Sequence, residues 1–199
     1  MMNIVCEKTY PTPLWNVKEI LRYAGCKRAT EDLIKLVGAL INEVGDKLKY
    51  KVCYAEFPLK ITDDIIDLEF IRFKSNDLCK TFENCKSVIV FTATVGIEID
   101  RLIEKYGKIS PSKAVILDAL GAERIEALCD AFCEDMSLVV KDRNLQIKPR
   151  FSAGYGDVPL EIQKDIFRVL DCHRKIGVTL NESLLMSPSK SVTALIGLY

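Results

Sequence analysis

Histidine is almost missing from this chain. There is one, His173, in 199 residues, alongside one tryptophan, eight cysteines and a formal net charge of zero, with 28 basic residues against 28 acidic ones. A lone imidazole leaves Ser-His-Asp and Cys-His catalysis without support. Zero net charge provides no field to gather nucleic acid or an anionic membrane, and no basic run is longer than three residues. There is no C-x-x-C pair. Cys129 and Cys133 stand four apart and can share a helix face, but a zinc site needs further ligands. Reduced, mostly buried thiols are the better reading, and they point to the cytoplasm. Met1 to Trp15 holds Glu7 and two prolines and no apolar h-region, so no secretory leader is expected. The longest apolar run, Ser87 to Ile97, is far too short to span a bilayer. Walker A, G-x-S-x-G and H-E-x-x-H signatures are absent, and so is a G-x-G-x-x-G run after a strand.

What is present is an ordinary globular balance, 49% hydrophobic and 28% charged, in a chain long enough to bury a useful core. The patterning mixes helices and strands without strict alternation, which predicts an α+β fold. Helices are expected over Asn16–Tyr23, from Thr30 as N-cap to about Val44, over Ser75–Asn84 and Gly96–Tyr106, from Ser110-Pro111 to about Lys141, and over Leu160–Asp171. Gly121 reads as a weak spot in the longest of these. Lys47–Phe57 alternates as a strand with one wet face, Asp67–Phe73 reads as another, and Val88–Phe91 is a central strand. Val178–Ser183 and Ser191–Leu198 complete the set.

The stretch Arg150-Phe-Ser-Ala-Gly154-Tyr155-Gly-Asp157-Val-Pro159 carries the most chemistry. Arg150 offers a planar fork of donors that fits a carboxylate or phosphate. Gly154 and Gly156 allow positive φ and close approach of a ligand to the backbone, and Tyr155 adds a ring and a hydroxyl. The same residues also describe a plain Gly-rich turn ahead of a helix. Glu126, mid-helix with Ala122 and Cys129 as neighbours on its stripe, could face an ammonium group or be a solvated helix-face charge. His173 follows a helix end and reads as exposed or capping. Asp171-Cys-His173-Arg-Lys-Ile-Gly177 approaches the D-x-H-x-x-G run of a corrinoid-ligating site. Its glycine comes one residue late and it follows a helix, so it reads as coincidence.

Arg150-x-x-x-Gly154-Tyr155, Pro159, Lys164, Leu170-Asp171, Ile176-Gly177-Val-Thr-Leu-Asn-Glu182-Ser183, Met186-x-Pro188 and Ser191-Val192 together resemble the reactivation domain of cobalamin-dependent methionine synthase. Thr92–Gly96 and Asp118–Leu128 resemble it more loosely. Residues 1–85 look like the N-terminal portion of small stand-alone relatives, and 86–199 like the S-adenosylmethionine-binding portion, within one compact domain.

The resemblance implies helices on a mainly antiparallel sheet and binding of S-adenosylmethionine. It assigns Arg150 to the ligand's carboxylate and Glu126 to its amino group. Ser152 falls where the ligand is met through the backbone, Gly154 on the glycine of the loop, and Tyr155 near the ligand and the cobalamin face. No catalytic acid, base or metal ligand is implied. The resemblance further implies reductive methylation of cob(II)alamin carried by a separate corrinoid protein or methionine synthase core, with a flavodoxin-like or ferredoxin-like electron donor and neither nucleic acid nor membrane as partner. A non-catalytic S-adenosylmethionine-binding or regulatory module is the alternative. Four departures stand out. Gly156 replaces a proline of the family's loop, and Ser187 replaces a tryptophan. A later ligand-contacting tyrosine is expected to be missing beyond Tyr199, and an aspartate of the family's N-terminal arm has no recognisable counterpart.

Overall fold

A computed structural model of the chain describes residues 4–199. After β1 (Cys6–Thr9) come α1 (Val17–Tyr23), α2 (Glu31–Val44) and β2 (Lys51–Pro58). A small meander follows, β3 (Lys60–Thr62), β4 (Ile65–Asp67) and β5 (Arg72–Lys74), and then α3 (Asn76–Thr81), β6 (Ser87–Thr94), α4 (Glu98–Ile109) and α5 (Pro111–Lys141). The C-terminal third holds β7 (Phe151–Ser152), α6 (Ile162–Leu170), α7 (Cys172–Ile176), β8 (Thr179–Leu180), β9 (Met186–Ser187) and β10 (Ser191–Leu198).

The main sheet has the order β1-β2-β6-β10-β7, and every neighbouring pair in it is antiparallel. The expected α+β architecture is therefore observed. The run Val88–Phe91, apolar without a break, lies in the central strand β6, both of whose faces are covered. Period-two alternation divides its side chains. Ile89, Phe91 and Ala93 enter the core beneath α1, α2, α4 and α5, while Val88 and Val90 enter a second core formed with α6, α7 and the small meander. Phe132 of α5 anchors the first core, its ring centroid 4.7 Å from that of Phe91 and 5.2 Å from that of Tyr54.

Several elements depart from the sequence reading for local reasons. Asp67–Phe73 is not one strand but the hairpin β4–β5. Glu69 takes φ 65, and the Asp67 carboxylate accepts its backbone N–H at 3.0 Å, which closes a turn. Strand β2 begins only at Lys51, because Gly45–Lys47 forms a short 3-10 turn. Ser110 occupies the N-cap position of α5 without a capping bond, and Pro111 fills the first turn. In Val178–Ser183 only Thr179–Leu180 pairs, with β9. Gly121 is a packing device rather than a weak point. A Cβ there would stand 2.9 Å from Cγ of Lys190 and 3.0 Å from Ile99, and the Lys190 ammonium reaches past it to Asp118 at 2.6 Å. Three of the eight free thiols are buried and five partly exposed, so burial is less general than expected. No helix of the described residues is long and apolar enough to cross a membrane.

Candidate functional site

Helix α5 lays its apolar stripe on the sheet and turns Glu126 and Asp130 outward, one helical turn apart on the same face. Beyond α5 the chain folds back along the end of β10. Lys148 donates its backbone N–H to Gly197 O at 2.8 Å, and Ile147 bridges Leu198. This return carries Arg150 against the outward face of α5. The next two residues form β7, with Ser152 opposite Ala194.

Two carboxylates meet the Arg150 guanidinium. Nη2 donates to Glu126 Oε2 at 2.6 Å and Nη1 to Asp130 Oδ1 at 2.5 Å. The side chain of Arg150 is 25% exposed, that of Glu126 42% and that of Asp130 64%. Burial works against the charged guanidinium, yet the two carboxylates outweigh it and hold its pKa above the ordinary arginine value. The sequence reading expected Arg150 and Glu126 to grip opposite ends of one molecule. In the structure they grip each other, and a ligand between them must part them.

After Ser152 the chain makes a tight loop. Gly154 (φ 83) donates to Val158 O at 3.0 Å, and Val158 donates back to Tyr155 O at 3.0 Å. A Cβ on Gly154 would meet Leu160 at 3.0 Å. Asp157 pins the loop to the start of α3, accepting from the Ser75 hydroxyl and from the backbone N–H of Asn76 at 2.7 Å and of Asp77 at 3.3 Å. The Ser75 bond, with help from the two amides, holds the Asp157 carboxyl below the usual range. Gly156 (φ 53) presses so close to α3 that a Cβ would lie 2.5 Å from Asp77 Oδ2. Tyr155 is thus presented on a tethered loop, 70% exposed.

Glu126, Arg150, Phe151, Ser152, Tyr155, Gly156 and Val192 enclose a cleft of about 350 Å³. This brings four of the five sequence-predicted residues to one wall system. The fifth, Gly154, shapes the turn and does not line the cleft. A second hollow of about 480 Å³ adjoins it through Glu126 and is bordered by Asp130, Glu134, Glu19 and the arm residues Pro13, Leu14 and Asn16. The arm is held by a buried clasp. Arg124, wholly inaccessible, pairs with Glu123 and donates to the carbonyls of Pro13 at 2.6 Å and Leu14 at 2.8 Å. Its guanidinium carbon lies 4.0 Å from the Trp15 ring centroid, and the amide of Asn16 reaches Glu123 at 3.2 Å. None of the arm residues bordering this hollow is an aspartate.

Sequence reasoning missed Asp130, Asp157 and the Glu123–Arg124 clasp. Only Asp130 left a local signal, its four-residue spacing from Glu126. Cys129 and Cys133 stand near the same guanidinium. Burial pushes both thiols up and Arg150 only partly opposes it, so both stay protonated near neutrality. The cleft lining offers no histidine and no thiol. It offers a cation, an anion and an aromatic ring, which is equipment for binding an amino-acid-like zwitterion rather than for acid–base chemistry. His173 lies exposed on α7, outside the cleft lining.

Residues 74–198, well over half the chain, match the family described as "Vitamin B12 dependent methionine synthase, activation domain". Among solved structures, the chain is similar to a crystal structure of the MetH reactivation domain bound to AdoHcy, with a TM-score of 0.69 and 14% sequence identity over 97% of this chain and 78% of that one. At that identity the likeness is one of fold. No curated protein sequence matches.

Proposed function

We propose, because the chain belongs to the vitamin B12 dependent methionine synthase activation-domain family, that it binds S-adenosylmethionine and supports reductive methylation of inactive cob(II)alamin on a separate corrinoid protein, a methionine synthase core. The observation that carries this is the Arg150–Glu126 pair on the wall of the cleft. A guanidinium and a carboxylate 2.6 Å apart match the carboxylate and ammonium of an α-amino acid when each exchanges its partner. Arg150 takes the ligand's carboxylate and Glu126 its ammonium. Ser152 contributes backbone beside it, Gly154 shapes the turn that carries the loop, and Tyr155 faces outward where a corrin would approach. When bound, S-adenosylmethionine supplies an activated methyl group, and the partner's reduced cobalt supplies the nucleophile. The chain's own contribution is position and the exclusion of water, which agrees with a cleft lining that offers neither a histidine nor a thiol. A flavodoxin-like or ferredoxin-like donor supplies the electron.

Calorimetry with S-adenosylmethionine tests the assignment. Arg150→Ala removes the partner of the carboxylate and is expected to weaken binding by roughly thirtyfold or more, about 2 kcal/mol at least, with an unchanged circular dichroism spectrum. Unaltered affinity in that variant sinks the assignment.

A second reading, a binding module without methyl transfer, draws on Gly156. Its φ of 53 is closed to the proline that the family carries there, because proline is confined near −65°. The loop beside Tyr155 therefore takes a path of its own. Incubation with methyl-labelled S-adenosylmethionine, a reductant and a corrinoid protein separates the two: label on cobalt supports the reactivation role, while tight binding without label supports the module.

A further inference from the structure

We infer that Asp130 makes the cleft select the methylated, cationic form of its ligand over the demethylated, neutral one. This deepens the reading above and rests on it. The argument is a charge count. Arg150 contributes one positive charge, and Glu126 and Asp130, both bonded to it, contribute two negative ones. These three side chains together therefore carry one uncompensated negative charge. The neighbouring groups do not cancel it. Glu123 and Glu19 are already paired with Arg124 and Arg22, and Glu134 adds to the negative side of the adjoining hollow. Lys148 borders neither the cleft nor the adjoining hollow, and its ammonium is engaged 4.5 Å over the Tyr199 ring.

S-adenosylmethionine carries a carboxylate, an ammonium and a sulfonium, a net charge of plus one. S-adenosylhomocysteine has lost the sulfonium charge and is neutral. The carboxylate and ammonium are common to both, so Arg150 and Glu126 cannot tell the two apart. Asp130 can. It keeps Nη1 of Arg150 while Glu126 swings to the ammonium, and its charge then stands unmatched unless a sulfonium is present. The sulfonium ligand leaves a neutral site and the thioether leaves a negative one. Loss of the methyl group thus weakens the hold on the product at the step where it must depart. Asp130 is 64% exposed, so its effect is that of an exposed charge pair, about threefold to fivefold in affinity.

The test is calorimetric titration of both ligands into wild-type protein and Asp130→Asn, at two ionic strengths about tenfold apart. Wild type is expected to prefer S-adenosylmethionine by about threefold to fivefold at low salt, with the preference shrinking at high salt. Asp130→Asn keeps the shape of the side chain and removes its charge, and it is expected to bring the two affinities together at both salt concentrations. A residue that only held Arg150 in place would weaken both ligands alike and leave their ratio and its salt dependence untouched, and that result overturns the inference while leaving the proposed function standing. Wild-type protein that binds neither ligand overturns the underlying reading and this inference with it.

Discussion

The Glu123–Arg124 clasp yields the sharpest stability prediction. Arg124 is wholly inaccessible, and it makes its bonds to Glu123, to two arm carbonyls and to the face of Trp15. In Arg124→Ala the Glu123 carboxylate stays in a site 5% accessible, with one amide donor from Asn16 at 3.2 Å. Removing one member of a buried pair costs about 3–5 kcal/mol, because the remaining charge is stranded. For a chain of this length each kcal/mol moves Tm by about 2–4 °C, so a fall of about 6–20 °C is expected. Replacing both members, as Glu123→Gln with Arg124→Met, removes the stranded charge and is expected to restore most of the loss, within about 2 kcal/mol of wild type. Trp15 is the only tryptophan and rests on the Arg124 guanidinium. Its fluorescence therefore reports the arm, while far-ultraviolet circular dichroism reports the whole fold. Urea titrations of wild type, Glu123→Gln, Arg124→Met and the double variant, followed by both signals, give the four corners of a double-mutant cycle. A single-variant loss below about 1 kcal/mol, or additive losses in the double variant, would refute the claim that the two side chains act as one buried unit.

Some of this molecule could be read from residues alone, and the reason is locality. Thr30 caps α2 and accepts from Leu33 within one turn, and the unbroken apolar run of β6 announces a strand covered on both faces. Arg150 and Glu126 were joined only through the family resemblance, and the structure brings them together across a separation of 24 positions in sequence. Other features are settled by partners far along the chain. Asp157 looks like one more polar residue in a turn until Ser75, 82 residues away, is brought to it. Gly121 counts against a helix by propensity, and only the Lys190 stem crossing it shows why a side chain is missing there. Glu69 turns the Asp67–Phe73 segment back on itself in the left-handed region, a conformation that its residue type does not advertise. Asp130 shows the boundary between the two cases. Its spacing from Glu126 is visible in the sequence, but its meaning depends on one guanidinium satisfying both carboxylates.

Two further perturbations test other parts of this account. Gly156→Ala places a Cβ into the left-handed region at φ 53 and against Asp77. It is expected to cost about 1–2 kcal/mol, lowering Tm by several degrees and weakening S-adenosylmethionine binding, and an unchanged melt with unchanged affinity would show that the loop is not held where it is described. The second concerns pH. Arg143 donates to both oxygens of Glu56, at 2.5 and 2.8 Å, and ties the end of α5 to β2. That pairing, aided by Ser87, holds the Glu56 carboxyl below its ordinary value of 4.5. A depressed carboxyl pKa means that the unfolded chain takes up its proton first as pH falls. The stabilisation is therefore complete above the unfolded value and is lost as pH drops through the folded one. Arg143→Met removes the largest cause of the shift and leaves the Ser87 bond to work against burial. Its Tm is expected to lie below that of wild type by a constant margin from about pH 5.5 to 7.5, and the two curves should converge as pH falls below about 4.5. Parallel curves down to the lowest pH at which the protein stays folded would mean that Arg143 stabilises through the packing of its stem rather than through the charge of Glu56.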